Sequence, residues 1–321
     1  MSIEREYKKV SAPYGLPILD VKETAELETK TRKAQEILRA QNFERIMPAS
    51  LDYPETFSAS SRAGLFTLRD ASGIDLALRN DVTAQVIKGF VRQIDRKHDG
   101  LDRRFYYTVP VFRDVKKNYP SPREVFQLGA EIIGSANRAH FTELVTLCLH
   151  IMKEVCPQKS FLVIAHVEIL DYLKSVVHEP FDEPLANRDA PYFAKLFSEL
   201  FSIDLKMAHM LASWLLYPRA IDEQILQWQP LQKNLALTFV EIVNKTIERV
   251  QKVVKDGKFS EAVWQPLSHP RSAYYNQFYF EIMISTQTQP VARGGIYDNL
   301  IQQYADLDFS ACGFAIDLNL I

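Results

Sequence analysis

The chain has 321 residues, 47% of them hydrophobic, with 38 Lys and Arg against 40 Asp and Glu for a formal net charge of -2. A chain of this length buries a substantial core and leaves room for an elaboration or a second domain. The near-neutral balance, without a basic run or tail, gives no reason to expect a nucleic acid or a membrane surface as partner, and no apolar run approaches the roughly 20 residues of a membrane span.

In chain order, Met1 to Val10 carries Glu and Lys rather than an apolar stretch, so the expected location is cytoplasmic. Asp20 with Glu23 suits a capped helix start, and Leu27, Ala34 and Leu38 then mark one helical face. A short strand over Phe43 to Met47 ends at Pro48. Ile74, Leu76 and Leu78 alternate with Asp75, Ala77 and Arg79 as a strand, after which Asn80 or Asp81 caps a helix containing Val82, Val86 and Phe90. Asp81 and Thr83 therefore sit at a strand-to-helix junction.

Two strands follow. Arg104 to Arg113 lines up Phe105, Tyr107, Val109, Val111 and Arg113 on one side. Arg123 to Ile133 puts Phe126, Leu128, Ala130 and Ile132 on one face and Arg123, Val125, Gln127, Gly129 and Glu131 on the other. The first face is core. The second combines an amide, a carboxyl and a guanidinium in strict register, and Gly129 leaves room for a small ligand between Gln127 and Glu131, with Arg113 reaching into the same cavity. An edge strand with a polar outer face alternates in the same way, so that reading stays open.

Next comes a helix with the apolar stripe Phe141, Leu144, Val145, Cys148, Ile151, Met152 and Val155, on which Cys148 reads as a buried thiol. Cys156 and Cys312 show no pairing with it in their spacing, and His98, His140, His166, His209 and His269 show no metal-ligand spacing, so neither a disulfide nor a metal is expected. From about Leu170 to Phe259 the strand signal fades into helices separated by Pro180, Pro184, Pro191, Pro218 and Pro230, which marks 171–259 as a helical insertion. A strand over Tyr274 to Ile284 sets Phe278, Phe280, Ile282 and Ile284 against Tyr275, Gln277, Tyr279 and Glu281. Arg293-Gly294-Gly295 predicts a turn into a helix with Tyr297, Leu300, Ile301 and Tyr304, and Cys312 to Ile316 predicts a last strand.

The runs LFTLRDASGIDLALRNDVTAQV, VFRDVKKNYPSPREVFQLGAEIIG, RGGIYDNL and GFAIDLNLI stand in the order and approximate spacing of the catalytic core of histidyl-tRNA synthetase, which the chain resembles over Pro13 to Gly134 and Tyr274 to Ile321. The stretch ending in NFERIMP resembles the first class II motif, and Arg113 to Gly134 the second. The resemblance implies an α+β fold: a class II synthetase-like antiparallel sheet flanked by helices, formed by 1–170 and 260–321, with 171–259 inserted. Class II cores of this kind pair through the first motif, so a homodimer built on Thr24 to Pro48 is expected.

Three departures matter. Asn319 and Leu320 stand where the synthetases carry a Glu-Arg pair whose Arg holds the ATP phosphates, and a charge-assisted hydrogen bond is worth roughly 1.5 to 3 kcal/mol. Pro270 takes the position of a histidine-specific Arg, with Arg271 shifted by one. An anticodon-binding domain is not expected after Ile321. The family that resembles both the matches and the losses is the regulatory subunit of ATP phosphoribosyltransferase, a synthetase paralogue. That resemblance implies no tRNA charging and no catalysis by this chain alone. It implies partnership with the short-form catalytic subunit in a hetero-octamer, activation of the first step of histidine biosynthesis, and histidine as feedback effector. A divergent or truncated histidyl-tRNA synthetase core is the alternative, and a purely organising subunit a third reading.

Carried onto this sequence, the resemblance places the ligand ammonium on Asp81, Thr83 and Gln127, the imidazole between Glu131 and Tyr275, and the carboxylate on Arg113, with Arg271 second. Arg123 and Tyr279 are further candidates. Plainer readings stand beside these: Asp81 and Thr83 as a helix cap, Tyr275 and Tyr279 as wall residues, Arg123 as a partner of Glu131 or Glu281, and Gly294-Gly295 as backbone geometry.

Overall fold

The first helix, α1 (Val21–Ala40), begins where the sequence places a cap: Asp20 Oδ1 accepts from the Glu23 amide and Glu23 Oε2 accepts from the Asp20 amide, both at 2.8 Å. The computed structural model describes residues 12–57, 64–93, 102–115, 122–134, 138–270, 272–305 and 309–321. Ala34 and Leu38 are fully buried on the inner face of α1, with Leu27 packed at the edge of the same cluster.

After α1 come β1 (Glu44–Arg45), β2 (Leu51–Asp52), α2 (Pro54–Phe57), β3 (Thr67–Arg69) and β4 (Asp75–Leu78). Strands β2, β4 and β3 form a small antiparallel sheet. The inward side of β4 carries Ala77 and leads to the buried Arg79, whereas Ile74 stays 44% exposed. Arg79 is tolerated inside because Nε donates to the Pro110 carbonyl at 2.6 Å and Nη1 to the Pro48 carbonyl at 2.8 Å.

The remaining elements are α3 (Thr83–Gln93), β5 (Arg103–Phe112), β6 (Glu124–Gly134), α4 (Arg138–Val155), β7 (Ser160–His166), α5 (Glu168–Val176), α6 (Asp182–Ala186), α7 (Ala190–Phe201), α8 (Leu205–Leu216), β8 (Arg219–Ala220), α9 (Ile221–Leu231), α10 (Leu237–Gly257), β9 (Val263–Trp264), β10 (Phe278–Ile284), β11 (Ala292–Ile296), α11 (Asp298–Gln302) and β12 (Ser310–Asp317). The nine-stranded sheet runs β1-β5-β6-β12-β11-β10-β7-β9-β8. Its six central strands are antiparallel, as expected for the class II architecture. The expected all-antiparallel sheet is modified at two junctions, β1 with β5 and β7 with β9, which are parallel. Both have the long crossover that parallel pairing requires: the small sheet and α3 in one case, helices α5 to α10 in the other.

Each face of the sheet carries its own core. On one side α1, α4 and the helical segment pack over Leu128, Ala130, Ile132, Phe280, Ile282 and Ile316. On the other, α3 and α11 supply Val86, Ile87, Phe90, Leu300 and Ile301, which meet Tyr107, Val109, Val111, Val125 and Ile133. The second face of β6 is therefore largely another core with a polar inclusion, and β6 lies between β5 and β12, which removes the edge-strand reading.

Arg293-Gly294-Gly295 is not a turn but the middle of β11. A Cβ at Gly294 would crowd the Gly313 carbonyl and the Phe280 ring, and one at Gly295 would strike Tyr275 and Tyr279, so the glycines serve close packing within a strand. Strand β10 begins at Phe278, four residues later than expected, and leaves Tyr274 and Tyr275 on an irregular segment. Of the prolines taken as helix separators, Pro184 and Pro191 lie in the first turns of α6 and α7, where a missing amide costs nothing, and Pro230 falls inside α9. No helix among the described residues is long and apolar enough to cross a membrane.

Residues of α5 to α10 belong to the same contiguous cluster as the sheet. At its outer end Trp214 of α8 stacks on Trp228 of α9 at 4.8 Å, meets Trp264 of β9 edge-on at 5.7 Å and donates Nε1–H to the Gln224 carbonyl at 2.8 Å. Trp214→Ala is expected to cost about 3–5 kcal/mol. Because the core is shared, far-UV circular dichroism and tryptophan fluorescence should report one coincident urea transition in the variant as in the parent; separate transitions would show that the helical segment folds as its own unit.

Candidate ligand site

The pairing of β6 with β12 builds the site. Its register sets Gln127 opposite Asp317, Gly129 opposite Ala315 and Glu131 opposite Gly313. The junction from β4 into α3 adds Asp81 and Thr83, the irregular segment before β10 adds Ser272, Tyr274 and Tyr275, β11 adds Arg293, and Tyr297 follows it. Five of the predicted ligand residues, Asp81, Thr83, Gln127, Glu131 and Tyr275, thus converge.

Glu131 is 1% exposed. Thr83 Oγ1 donates to its Oε1 at 2.9 Å and the Tyr297 hydroxyl donates to Oε2. Its carboxyl lies where a Cβ on residue 313 would stand, so only glycine fits opposite it. Burial pushes its pKa up to about 8, with Asp81 adding to the rise and the Tyr297 and Thr83 hydroxyls opposing it, so the group keeps its proton at neutral pH.

Asp81 serves both of its readings. Oδ1 accepts from the Thr83 amide at 2.8 Å as a cap, while Oδ2 accepts from the Tyr274 hydroxyl at 3.0 Å and faces the site. Burial raises its pKa, against the Tyr274 and Thr83 hydrogen bonds and the charges of Arg293 and Arg113. Burial likewise raises the hydroxyls of Tyr107, Tyr274, Tyr275 and Tyr297, which remain neutral donors.

At the other end Gln127 Nε2 donates to Asp317 Oδ1 at 2.8 Å, and Asp317 Oδ2 lies 3.3 Å from Arg293 Nη2 and 3.8 Å from Arg113 Nη1. Burial alone would lower the Arg293 pKa, and Asp317, foremost among its neighbours, holds it above the usual value.

Several expectations are corrected. The space above Gly129 is not open, because the Tyr107 ring from β5 fills it. What remains between these side chains is about 10 Å³ for a water-sized sphere, near the minimum for one water and far below the roughly 300–1,000 Å³ of ligand pockets. Arg123 pairs with neither Glu131 nor Glu281 in the way expected: its Nη2 meets Asp114 Oδ1 at 2.6 Å and its guanidinium lies over Phe66 at 4.4 Å. Tyr279 is a wall residue, stacked parallel to Tyr275 at 6.1 Å and donating to the Ser268 carbonyl at 3.0 Å. Arg271 lies outside the described residues.

Sequence reasoning assigned no ligand role to Asp317, Arg293, Tyr107, Tyr274 or Tyr297. A signal existed for Asp317, an acid enclosed by Ile316 and Leu318 at the end of a strand. The tyrosines carried none, because a strand or helix uses the same residue as filler. A roomier cavity of about 700 Å³ opens between α4 and α10 beside Thr146, His150, Lys252 and Val253, but the convergent buried groups with displaced pKa values are at the smaller site. Among the described residues no group of three or more His, Cys, Asp or Glu side chains is placed to hold a metal.

A family profile described as histidyl-tRNA synthetase matches residues 16–321. The chain is 23% identical over 322 residues to a protein of Leptospira interrogans named ATP phosphoribosyltransferase regulatory subunit, a match covering 96% of this chain and 92% of that one. It is 25% identical over 320 residues to a protein of the same name from Desulfitobacterium hafniense, with 96% and 80% covered. Among solved structures, an ATP phosphoribosyltransferase regulatory subunit/histidyl-tRNA synthetase from Bacillus halodurans superposes with a TM-score of 0.78 at 20% identity, covering 97% of this chain and 82% of the other, and so shares the fold.

Because folded Glu131 holds a proton up to about pH 8 that the unfolded chain releases near 4.5, its contribution to stability is full below the lower value, declines as pH rises between the two, and is constant above. The slope for one such group approaches 1.4 kcal/mol per pH unit. Glu131→Gln, neutral throughout, should flatten this part of the stability profile. Urea melts across that range read the difference, and an unchanged slope in the variant assigns the proton elsewhere.

Proposed function

The chain belongs to the histidyl-tRNA synthetase family, and we propose that it acts there as the regulatory subunit of ATP phosphoribosyltransferase, binding histidine rather than charging tRNA. In this reading it activates a short-form catalytic subunit in the first step of histidine biosynthesis and conveys feedback inhibition by histidine. It does no chemistry alone. It pairs with a second copy through Thr24 to Pro48, within a hetero-octamer; α1 in that segment buries only Ala34 and Leu38, and Met47 is 72% exposed. The core is 1–170 with 260–321, and 171–259 is the insertion.

The observation that carries the reading is the joint state of the two ends of the site. Supporting an amino-acid end, Asp81, Thr83, Gln127 and Tyr275 line one small cavity, and Glu131 accepts from Thr83 at its edge. The end that would grip nucleotide phosphates has lost its cation: Asn319 Oδ1 accepts from the Phe126 amide at 2.9 Å, a structural contact, and Leu320 carries no charge. A nucleotide with several negative charges needs charge-assisted donors; a single amino acid does not.

Histidine places its ammonium between Asp81, Thr83 and the Gln127 carbonyl oxygen, and its imidazole between Glu131 and Tyr275. A protonated Glu131 suits a neutral ring, since a carboxylic acid both donates and accepts. Arg113 takes the ligand carboxylate, and Arg271 is the second candidate for it. Entry requires Tyr275 to leave its stack on Tyr279, which frees the volume beside Gly295.

The test is reconstitution. Mixed with a short-form catalytic subunit, the chain should be required for phosphoribosyl transfer, and histidine should inhibit the complex through a coupling of about 1–3 kcal/mol, or roughly 5- to 150-fold. Glu131→Ala should abolish the inhibition while co-elution with the catalytic subunit persists. Histidine-dependent exchange of pyrophosphate into ATP by the chain alone would establish the synthetase reading instead.

A further inference from the structure

We propose that Asp317 is a specificity-determining residue: an internal anion that occupies Arg293 and Gln127, leaves the site able to accept one carboxylate, and rejects phosphoryl groups. The inference rests on the reading above of this cavity as an amino-acid site.

The geometry supplies the argument. Asp317 is 2% exposed and ends β12 directly opposite Gln127. Its two oxygens divide the work: Oδ1 accepts from the Gln127 amide at 2.8 Å, and Oδ2 faces Arg293 at 3.3 Å and Arg113 at 3.8 Å. The two arginine side chains are themselves 13% and 14% exposed, so bulk water does little to screen the group. A buried guanidinium without a counter-charge is costly, and Asp317 removes that cost with no ligand present.

The contacts are unequal. Arg293 lies at hydrogen-bonding distance, while Arg113, 0.5 Å further away, makes the looser ion pair. A ligand carboxylate can therefore take Arg113 while Asp317 keeps Arg293 and Gln127. A phosphate or pyrophosphate brings two or more negative charges and needs both guanidiniums. It would have to displace Asp317, or stand a few ångströms from it, where like charges shielded from water repel strongly. Among the described residues Asp81 and Glu281 add negative charge around Arg293, which strengthens the rejection.

The experiment titrates inorganic pyrophosphate into the full chain by calorimetry at low ionic strength, comparing the parent with Asp317→Asn, which preserves shape and removes the charge. The parent should show no saturable binding at millimolar pyrophosphate, and the variant should bind at least about tenfold tighter. Adding Arg293→Gln to the variant should return it to the parent's behaviour. Equal binding by parent and Asp317→Asn, or none by either, overturns the proposal. Should Asp317→Asn fail to fold alone, pyrophosphate in the refolding buffer should rescue it by supplying the lost counter-charge, and failure of rescue overturns the proposal as well. A parallel histidine titration of the parent separates the two readings: absence of histidine binding there removes the effector assignment, while the pyrophosphate result still judges Asp317.

Discussion

The register between β6 and β12 is the constraint on which the site depends. Side chains alternate across a sheet with a period of two, so a slip of one residue would carry Gln127 and Glu131 into the apolar layer beneath α4 and lift Leu128 and Ala130 toward α3. The observed pairing instead sets a large polar residue against a small or complementary one at each step: Gln127 against Asp317, Glu131 against Gly313. Gly313 is as necessary as Glu131, because the carboxyl lies in the space a side chain there would need. Strands β5 and β11 then close the flanks, with Tyr107 over Gly129 and Tyr275 over Gly295.

Three carboxyl groups sit close together here, Glu131 and Asp317 buried and Asp81 half-buried, and each meets the desolvation problem differently. Glu131 keeps its proton and is held by two hydroxyls. Asp81 divides its oxygens between a helix-cap amide and a tyrosine. Asp317 is matched by guanidiniums and an amide. Tyrosine suits the intervening positions because its ring fills volume as a hydrophobe does, while its hydroxyl satisfies an acid at its tip. The outcome is a compact network in which the charge of any one member depends on its neighbours.

Much of the frame was legible from local pattern. The Asp20–Glu23 box, the stripe of α4, the alternation of β5 and β6 and the junction holding Asp81 and Thr83 all follow from spacing, since each is set by residues close in sequence. What the pattern could not supply was what lies across a strand. Gly129 looked like space because its neighbour in the next strand, Tyr107, is more than 20 residues away and carries no mark of where its ring will lie. The turn expected at Arg293 rested on two adjacent glycines, whose need for close approach across a sheet is indistinguishable, in sequence, from a need for unusual backbone angles. Arg123 went astray for a related reason: it lies just before β6 begins, where strand alternation no longer governs its direction, and Asp114 and Phe66 were at hand.

The closed state of the cavity bears on how, in the proposed reading, such a site would regulate a partner. A ligand shifts an equilibrium only by its differential affinity for the two states, and a preformed open pocket would accept the ligand without moving anything. In the proposed reading, admitting a ligand would separate the Tyr275–Tyr279 stack, worth about 0.5–1.5 kcal/mol. That cost reaches the lower part of the roughly 1–3 kcal/mol range of coupling energies between allosteric sites. Tyr275 covers Gly295 on β11 and adjoins Tyr279 on β10, so in the proposed reading its displacement would act on two adjacent strands of the central sheet, whose next neighbour, β7, leads directly into the helical segment.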